Sequence, residues 1–172
     1  IVYKVTDVPG AMATCSFTVT VNDTELPVIS CPSNISVPND ANLCSAVVNY
    51  TTPVGTDNCP GPNTVQTAGL ASGAAFPVGV TTNTFKVTDA AGNTATCSFN
   101  VTVTDAQAPQ ITCPSPIVKS NDPGLCSALV TYTAPTGTDN CPGANTIQTA
   151  GQASGSYFPV GVTTNTFKVT DA

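Results

Sequence analysis

Residues 96–104 read Thr-Cys-Ser-Phe-Asn-Val-Thr-Val-Thr. The alternation is strict: Cys97, Phe99, Val101 and Val103 fall on one face and polar residues on the other, the period of a half-buried antiparallel strand. Just upstream, residues 84–88 alternate likewise, with Phe85 and Val87 inward and Lys86 outward. Asp-Ala-Ala-Gly-Asn at 89–93 supplies the turn that folds the two strands into a hairpin. Residues 45–51 predict another strand, with Ala46, Val48 and Tyr50 inward. Weaker strands are expected around 28–37, 64–67 and 76–80, each bounded by Pro or Gly. Six or seven short strands in about 80 residues predict an all-β, two-sheet Greek-key sandwich.

That unit is repeated. Cys15, Cys31, Cys44 and Cys59 fall on Cys97, Cys113, Cys126 and Cys141, each 82 residues later and without a gap. Between residues 31–90 and 113–172, roughly three-quarters of positions are identical, which marks a tandem duplication. A unit of this length is a small domain with its own core and not a solenoid coil. The phase gives residues 1–23 as the closing strands of a preceding repeat, 24–105 as one complete sandwich, and 106–172 as a sandwich lacking its last strand. The expected partners are further copies of the same repeat, in the same chain or as a homopolymer. In the homopolymer, the strand at 14–21 would complete the last sandwich of a neighbour and Cys15 would bond Cys113 between chains.

Composition narrows the class. Lys and Arg together number 4 and the formal charge is -6, which excludes a phosphate-neutralising surface and hence nucleic acid. No apolar run is long enough to cross a membrane as a helix, and no signal-peptide pattern is present. With 8 Cys, no His and no CxxC pair, zinc and redox sites are disfavoured and disulfides are the natural reading. Disulfides place the expected location outside the cell, secreted or on its surface. Four Cys per unit allow three pairings, and the sequence does not choose among them. In an immunoglobulin-like sandwich the first and last strands run side by side, so Cys31 is expected with Cys97 and, by elimination, Cys44 with Cys59 and Cys126 with Cys141. Without such bridges, a core this thin leaves a domain of this size marginal.

An ordered series of motifs runs through both units: Ile-Ser-Cys-Pro-Ser-Asn at 29–34, Tyr50, Pro53, Thr-Asp-Asn-Cys at 56–59, Phe-Pro-Val-Gly at 76–79, Val-Thr-Asp-Ala-Ala-Gly-Asn at 87–93 and Thr-Cys-Ser-Phe at 96–99. The second unit carries it through Cys113, Asp-Asn-Cys at 139–141, Phe-Pro-Val-Gly at 158–161 and Val-Thr-Asp at 169–171. This series resembles the hyalin repeat, and the resemblance covers essentially the whole chain. It implies an immunoglobulin-like fold in extracellular adhesive, matrix or long surface proteins. It also implies that the cysteines matching Cys31 and Cys97 form a bond, since family members with only two Cys keep those.

The carboxylates are periodic too: apart from Asp7, which aligns with Asp89, the Asp residues occupy the phases 23/105, 40/122, 57/139 and 89/171. Asp23, Glu25, Asp57, Asn58 and Asp89, with Asp105, Asp139, Asn140 and Asp171, are expected near the junctions between repeats. Oxygen donors without His suit a hard cation there, with calcium the candidate. The competing reading is that Asp and Asn cap the backbone amides of their own loops. Catalysis has no His and no recognisable nucleophile and base, so the chain is not read as an enzyme. The expected function is a structural stalk, fibre or filament. The alternative is an adhesion module for a carbohydrate or protein ligand, with Ala74-Ala75 against Ser156-Tyr157 as the main local difference between units.

Overall fold

The computed structural model describes all of residues 1–172 except 7, 8, 10, 11 and 172. Asp7 therefore lies outside the described residues. The strands are β1 (Val2–Thr6), β2 (Met12–Ser16), β3 (Ile35–Pro38), β4 (Ser45–Val47), β5 (Asn63–Ala68), β6 (Ala75–Pro77), β7 (Gly79–Thr88), β8 (Thr94–Thr104), β9 (Ser127–Val130), β10 (Asn145–Ala150), β11 (Ser156–Pro159) and β12 (Thr166–Thr170). The protein is all-β. In the first full repeat one sheet has the order β3-β8-β7-β5 and the other pairs β4 with β6. β3 runs parallel to β8, from Ile35 opposite Val101 to Pro38 opposite Thr104. The opening and closing strands are thus neighbours, as a Greek-key sandwich requires.

Several boundaries differ from expectation. The strand expected around 28–37 is regular only over Ile35–Pro38, with Val28 in an isolated bridge to Thr56, and the strand expected at 14–21 spans Met12–Ser16. The strand expected at 84–88 is the end of β7, which starts at Gly79 and absorbs the tail of the weak strand expected at 76–80. The strand expected over 45–51 is regular only through Val47. Beyond it Val48 still exchanges backbone bonds with Gly73 and Ala74, and Ser72 Oγ then satisfies the backbone N–H and C=O of Tyr50 in place of a strand partner.

Contacts group the described residues into two units, one comprising Ile1–Cys31, Pro53–Thr67 and Thr84–Cys97, the other Pro32–Thr52, Ala68–Asn83 and Ser98–Ala172. In the first, Phe85 and Val87 are buried. Val87 lies so close to Gly55 that a β-carbon there would come within 2.5 Å of its Cγ2. In the second, Ala46, Val48, Phe76, Phe99, Val101 and Val103 form the core, and the Tyr50 ring meets Phe99 and Phe76 edge-on at 5.0 and 6.5 Å. Burying each such Phe stabilises the fold by about 1.5 to 3 kcal/mol. The Tyr50 hydroxyl donates to Leu70 O at 2.6 Å, so the one polar atom of that ring is satisfied.

The same parts recur in the second repeat. β9 pairs with β11, β10 with β12, and Tyr132 donates to Gln152 O at 2.7 Å. The residues at the phase of β3 find no strand partner. Ile117 and Val118 are exposed, and a groove of about 790 Å³ opens beside them, lined by Cys113, Tyr132, Phe158 and Phe167 among others.

Candidate functional site: the repeat junction

The junction is built on a loop that ends in Cys44. Asp40 organises it: its N–H donates to Ser45 O, its C=O accepts from Leu43 N–H, and its Oδ2 accepts from Val47 N–H at 2.9 Å. Asn39 Nδ2 adds a bond to Leu43 O at 2.8 Å, and Asn42 turns the chain with φ 62, a left-handed conformation that Asn tolerates. The loop then holds the linker. Asn42 N–H donates to Gln107 Oε1 at 2.8 Å, and Ala106 N–H donates to Asn39 Oδ1 at 3.0 Å.

The segment that meets this loop is equally well defined. Gln110 and Thr138 exchange backbone bonds at 2.8 Å, and Asp139 Oδ2 accepts from Cys141 N–H at 2.9 Å. These bonds present Asn140 and Cys141. Asn140 Nδ2 donates to Leu43 O at 2.9 Å, and the sulfur of Cys141 is bonded to that of Cys44. A disulfide therefore joins one repeat to the next.

This corrects the expected pairing of Cys44 with Cys59 and Cys126 with Cys141. Cys44 stays with the loop at 39–45, whereas Cys59 follows the Val28–Thr56 bridge and sits beside Asp23 and Asp57. Elimination misled because it assumed that the four cysteines of a unit pair among themselves, whereas Cys44 is bonded to Cys141 of the following repeat. Cys59 and Cys126 are free thiols, and so are the exposed Cys15 and Cys113. Cys31 and Cys97 are bonded to each other.

The carboxylates divide into three kinds. Asp40 and Asp122 serve their own loops, and Asp122 also meets Lys119 at 3.5 Å. The hydrogen bond from Leu129 N–H, the largest effect, outweighs the opposing effect of burial and, with the lesser help of Lys119, holds the Asp122 carboxyl below its ordinary range. Asp89 is enclosed by its turn, with Oδ1 accepting from the N–H groups of Gly92 and Asn93 at 2.7 and 2.8 Å and Oδ2 from Asn93 Nδ2 at 2.8 Å. Burial works to raise its pKa, but these bonds together outweigh it and lower it. Its two oxygens thus accept three bonds from its own turn, and it lies outside the two carboxylate clusters that follow.

The third kind clusters. Asp23, Asp57 and Cys59 bring one potential ligand atom each within 4.8 Å of one another, and Asp105, Asp139 and Cys141 do the same. Asp57 Oδ1 and Asp139 Oδ1 are buried atoms without a hydrogen-bond partner. A bond from its S–H to Asp23, burial, and the charges of Asp23, Asp57 and Asp89 push the Cys59 thiol above its ordinary range. Glu25 and Asn58 are exposed, and Asp171 is half-buried. Sequence reasoning missed Asn39, Asn42, Leu43 and Gln107 as junction residues. Leu43 acts through its backbone, and Asn42 and Gln107 face Gly124 and Glu25 in the other copy of the phase; the repeated side chain that could have marked the loop is Asn39, which recurs as Asn121.

A sandwich repeat closed by an internal disulfide and joined to its neighbour by another defines a tandem, disulfide-linked β-sandwich module. The HYR domain model matches residues 22–103 and 104–172, and the chain belongs to that family. It is 35% identical over 179 residues to hyalin of Strongylocentrotus purpuratus and 33% identical over 177 residues to hyalin of Lytechinus variegatus, in each case across 99% of the chain. It is also 31% identical over 155 residues to Sushi, von Willebrand factor type A, EGF and pentraxin domain-containing protein 1 of Rattus norvegicus. The chain spans 15%, 33% and 4% of the length of these relatives.

Proposed function

We propose that this chain is a structural segment of an extracellular array of HYR repeats, in which consecutive sandwiches are stapled end to end to build a stalk or fibre. The observation that carries the reading is the Cys44–Cys141 bond, which makes the junction covalent. Disulfides persist in oxidising surroundings, which supports a place outside the cell. The role is non-enzymatic. Immunogold labelling of intact cells with antibodies to this chain tests it: label along extended surface structures is expected, and label confined to the cell interior overturns the reading.

An adhesive role is the second reading, favoured by Tyr157, which is 56% exposed where the first repeat has Ala75. A glycan or matrix-protein binding screen in which Tyr157→Ala abolishes a hit would establish it.

Calcium belongs to the same proposal, as a stiffener of the junction. Its support is the unpartnered Asp57 and Asp139 oxygens beside Asp23 and Asp105. Calcium takes six to eight oxygens and each cluster offers two carboxylates, so bound calcium would keep several waters and bind in the weak extracellular class, about 10⁻⁴ to 10⁻³ M. Calorimetric titration with calcium, repeated on Asp57→Asn/Asp139→Asn, reads it directly. No heat in the unsubstituted chain removes the idea.

A further inference from the structure

The bonded junction has two halves, and each half is present a second time with its thiol free. The loop ending in Cys126 repeats the loop ending in Cys44 bond for bond: Asp122 N–H donates to Ser127 O, Leu125 N–H to Asp122 O at 3.0 Å, Leu129 N–H to Asp122 Oδ2 at 2.9 Å, and Asn121 Nδ2 to Leu125 O at 2.8 Å. Gly124 takes the left-handed turn that Asn42 takes, with φ 76. The segment around Cys59 repeats the segment around Cys141 in the same way: Val28 and Thr56 exchange backbone bonds at 2.8 Å, Glu25 N–H donates to Asp23 Oδ1 at 3.1 Å, and Cys59 N–H donates to Asp57 Oδ2 at 2.9 Å.

The contacting groups are complementary as well. Asn58 stands at the phase of Asn140, whose amide donates to Leu43 O, and Leu125 O offers the matching acceptor. Glu25 stands at the phase of Gln107, whose Oε1 accepts from Asn42 N–H, and a carboxylate oxygen accepts the Gly124 N–H at least as well.

We propose that Cys59 and Cys126 are the two halves of further junctions of the Cys44–Cys141 kind, the matching half of each coming from another repeat of the same build, which a second copy of this chain supplies, with Cys126 of one copy bonded to Cys59 of the next. This deepens the structural-array reading and rests on it. Two thiols give one disulfide with loss of two protons and two electrons, which a low-molecular-weight disulfide takes up. The exposed Cys126 thiolate attacks that disulfide and releases one thiol. The sulfur of Cys59 from the docked copy then attacks Cys126 Sγ and releases the second.

The test uses the full chain with Cys15→Ser and Cys113→Ser, which leaves Cys59 and Cys126 as its free thiols. It is incubated in an oxidised/reduced glutathione buffer, resolved on non-reducing gels and mapped by peptide mass spectrometry. A ladder of covalent oligomers containing the Cys59–Cys126 cross-link is expected. Adding Cys59→Ser or Cys126→Ser separately should abolish the ladder, and an equal mixture of those two variants should give dimers and nothing larger. The inference is overturned if the mixture yields no more dimer than either variant alone. It is also overturned if the bonds found are Cys44–Cys59 and Cys126–Cys141. Surface label in the immunogold experiment without this cross-link would sink the present inference alone, whereas the cross-link in a protein whose label is internal would sink the array reading alone.

Discussion

Cys44 and Cys141 are bonded across a sequence separation of 97 residues, from the loop of one repeat to the Asp-Asn-Cys segment of the next. The bond closes the largest loop in the chain among the described residues, and a link of that span restricts the unfolded ensemble strongly. On the chain-entropy account its removal costs about 2 to 5 kcal/mol. Cys141→Ser should therefore lower the denaturant midpoint of the second repeat, while Asp139 still accepts the backbone N–H of residue 141. Equal midpoints for the variant and the parent, followed by Tyr132 fluorescence, would refute this.

Gly69 and Gly151 make the same sacrifice in both repeats. Each has positive φ, 86 and 92, and each lies where a β-carbon would fall 1.9 Å from the Oδ1 of Asn83 or Asn165. Those oxygens accept the N–H groups of Leu70 and Gln152 at 2.8 Å. Gly69→Ala is expected to destabilise the first repeat by about 2 kcal/mol or more, since it combines a left-handed backbone with a displaced buried Asn. Urea unfolding of the single variant measures it, and a loss below half that figure would contradict the packing described.

Tyr50→Phe removes the hydroxyl and keeps the ring. The ring contacts with Phe99 and Phe76 stay, and the 2.6 Å bond to Leu70 O is lost. The expected cost is about 1 kcal/mol. Differential scanning calorimetry showing no change would mean that the hydroxyl contributes nothing to the closure of this corner.

Asp89 predicts an acid limb. Its folded-state pKa is depressed, so its contribution is fully present above the ordinary carboxylate range and is lost as pH falls through the lower folded value. Thermal unfolding of the parent should weaken on acidification below that range, and Asp89→Asn should show a shallower dependence there. Parallel curves for the two proteins would assign the acid sensitivity to other carboxylates.

The alternation at Cys97, Phe99, Val101 and Val103, the hairpin turn and the 82-residue phase were all legible because they depend on neighbours in sequence. The junction was not. Which loop Cys44 meets is set by the linker hooking Gln107 onto Asn42 and by a backbone carbonyl of Leu43, and neither leaves a side-chain pattern. Asp57 and Asp139 were identified as junction carboxylates from their phase, but the same reasoning could not see that Asp89 is sealed inside its own turn.

The parallel pairing of β3 with β8 has a mechanical consequence. With the Cys31–Cys97 bond reduced, a pull along consecutive repeats would load the opening and closing strands of a sandwich lengthwise, so that their hydrogen bonds must fail together in shear and cannot unzip one by one. While intact, the Cys31–Cys97 bond carries the load past β3 and the rest of the intervening chain, with a sequence separation of 66 residues. At about 3.5 Å per extended residue, roughly 230 Å of contour stays hidden in each complete repeat for as long as that bond is intact. A fibre of such units would be nearly inextensible when oxidised and would lengthen severalfold on reduction, which makes its reach a function of the redox state of its surroundings.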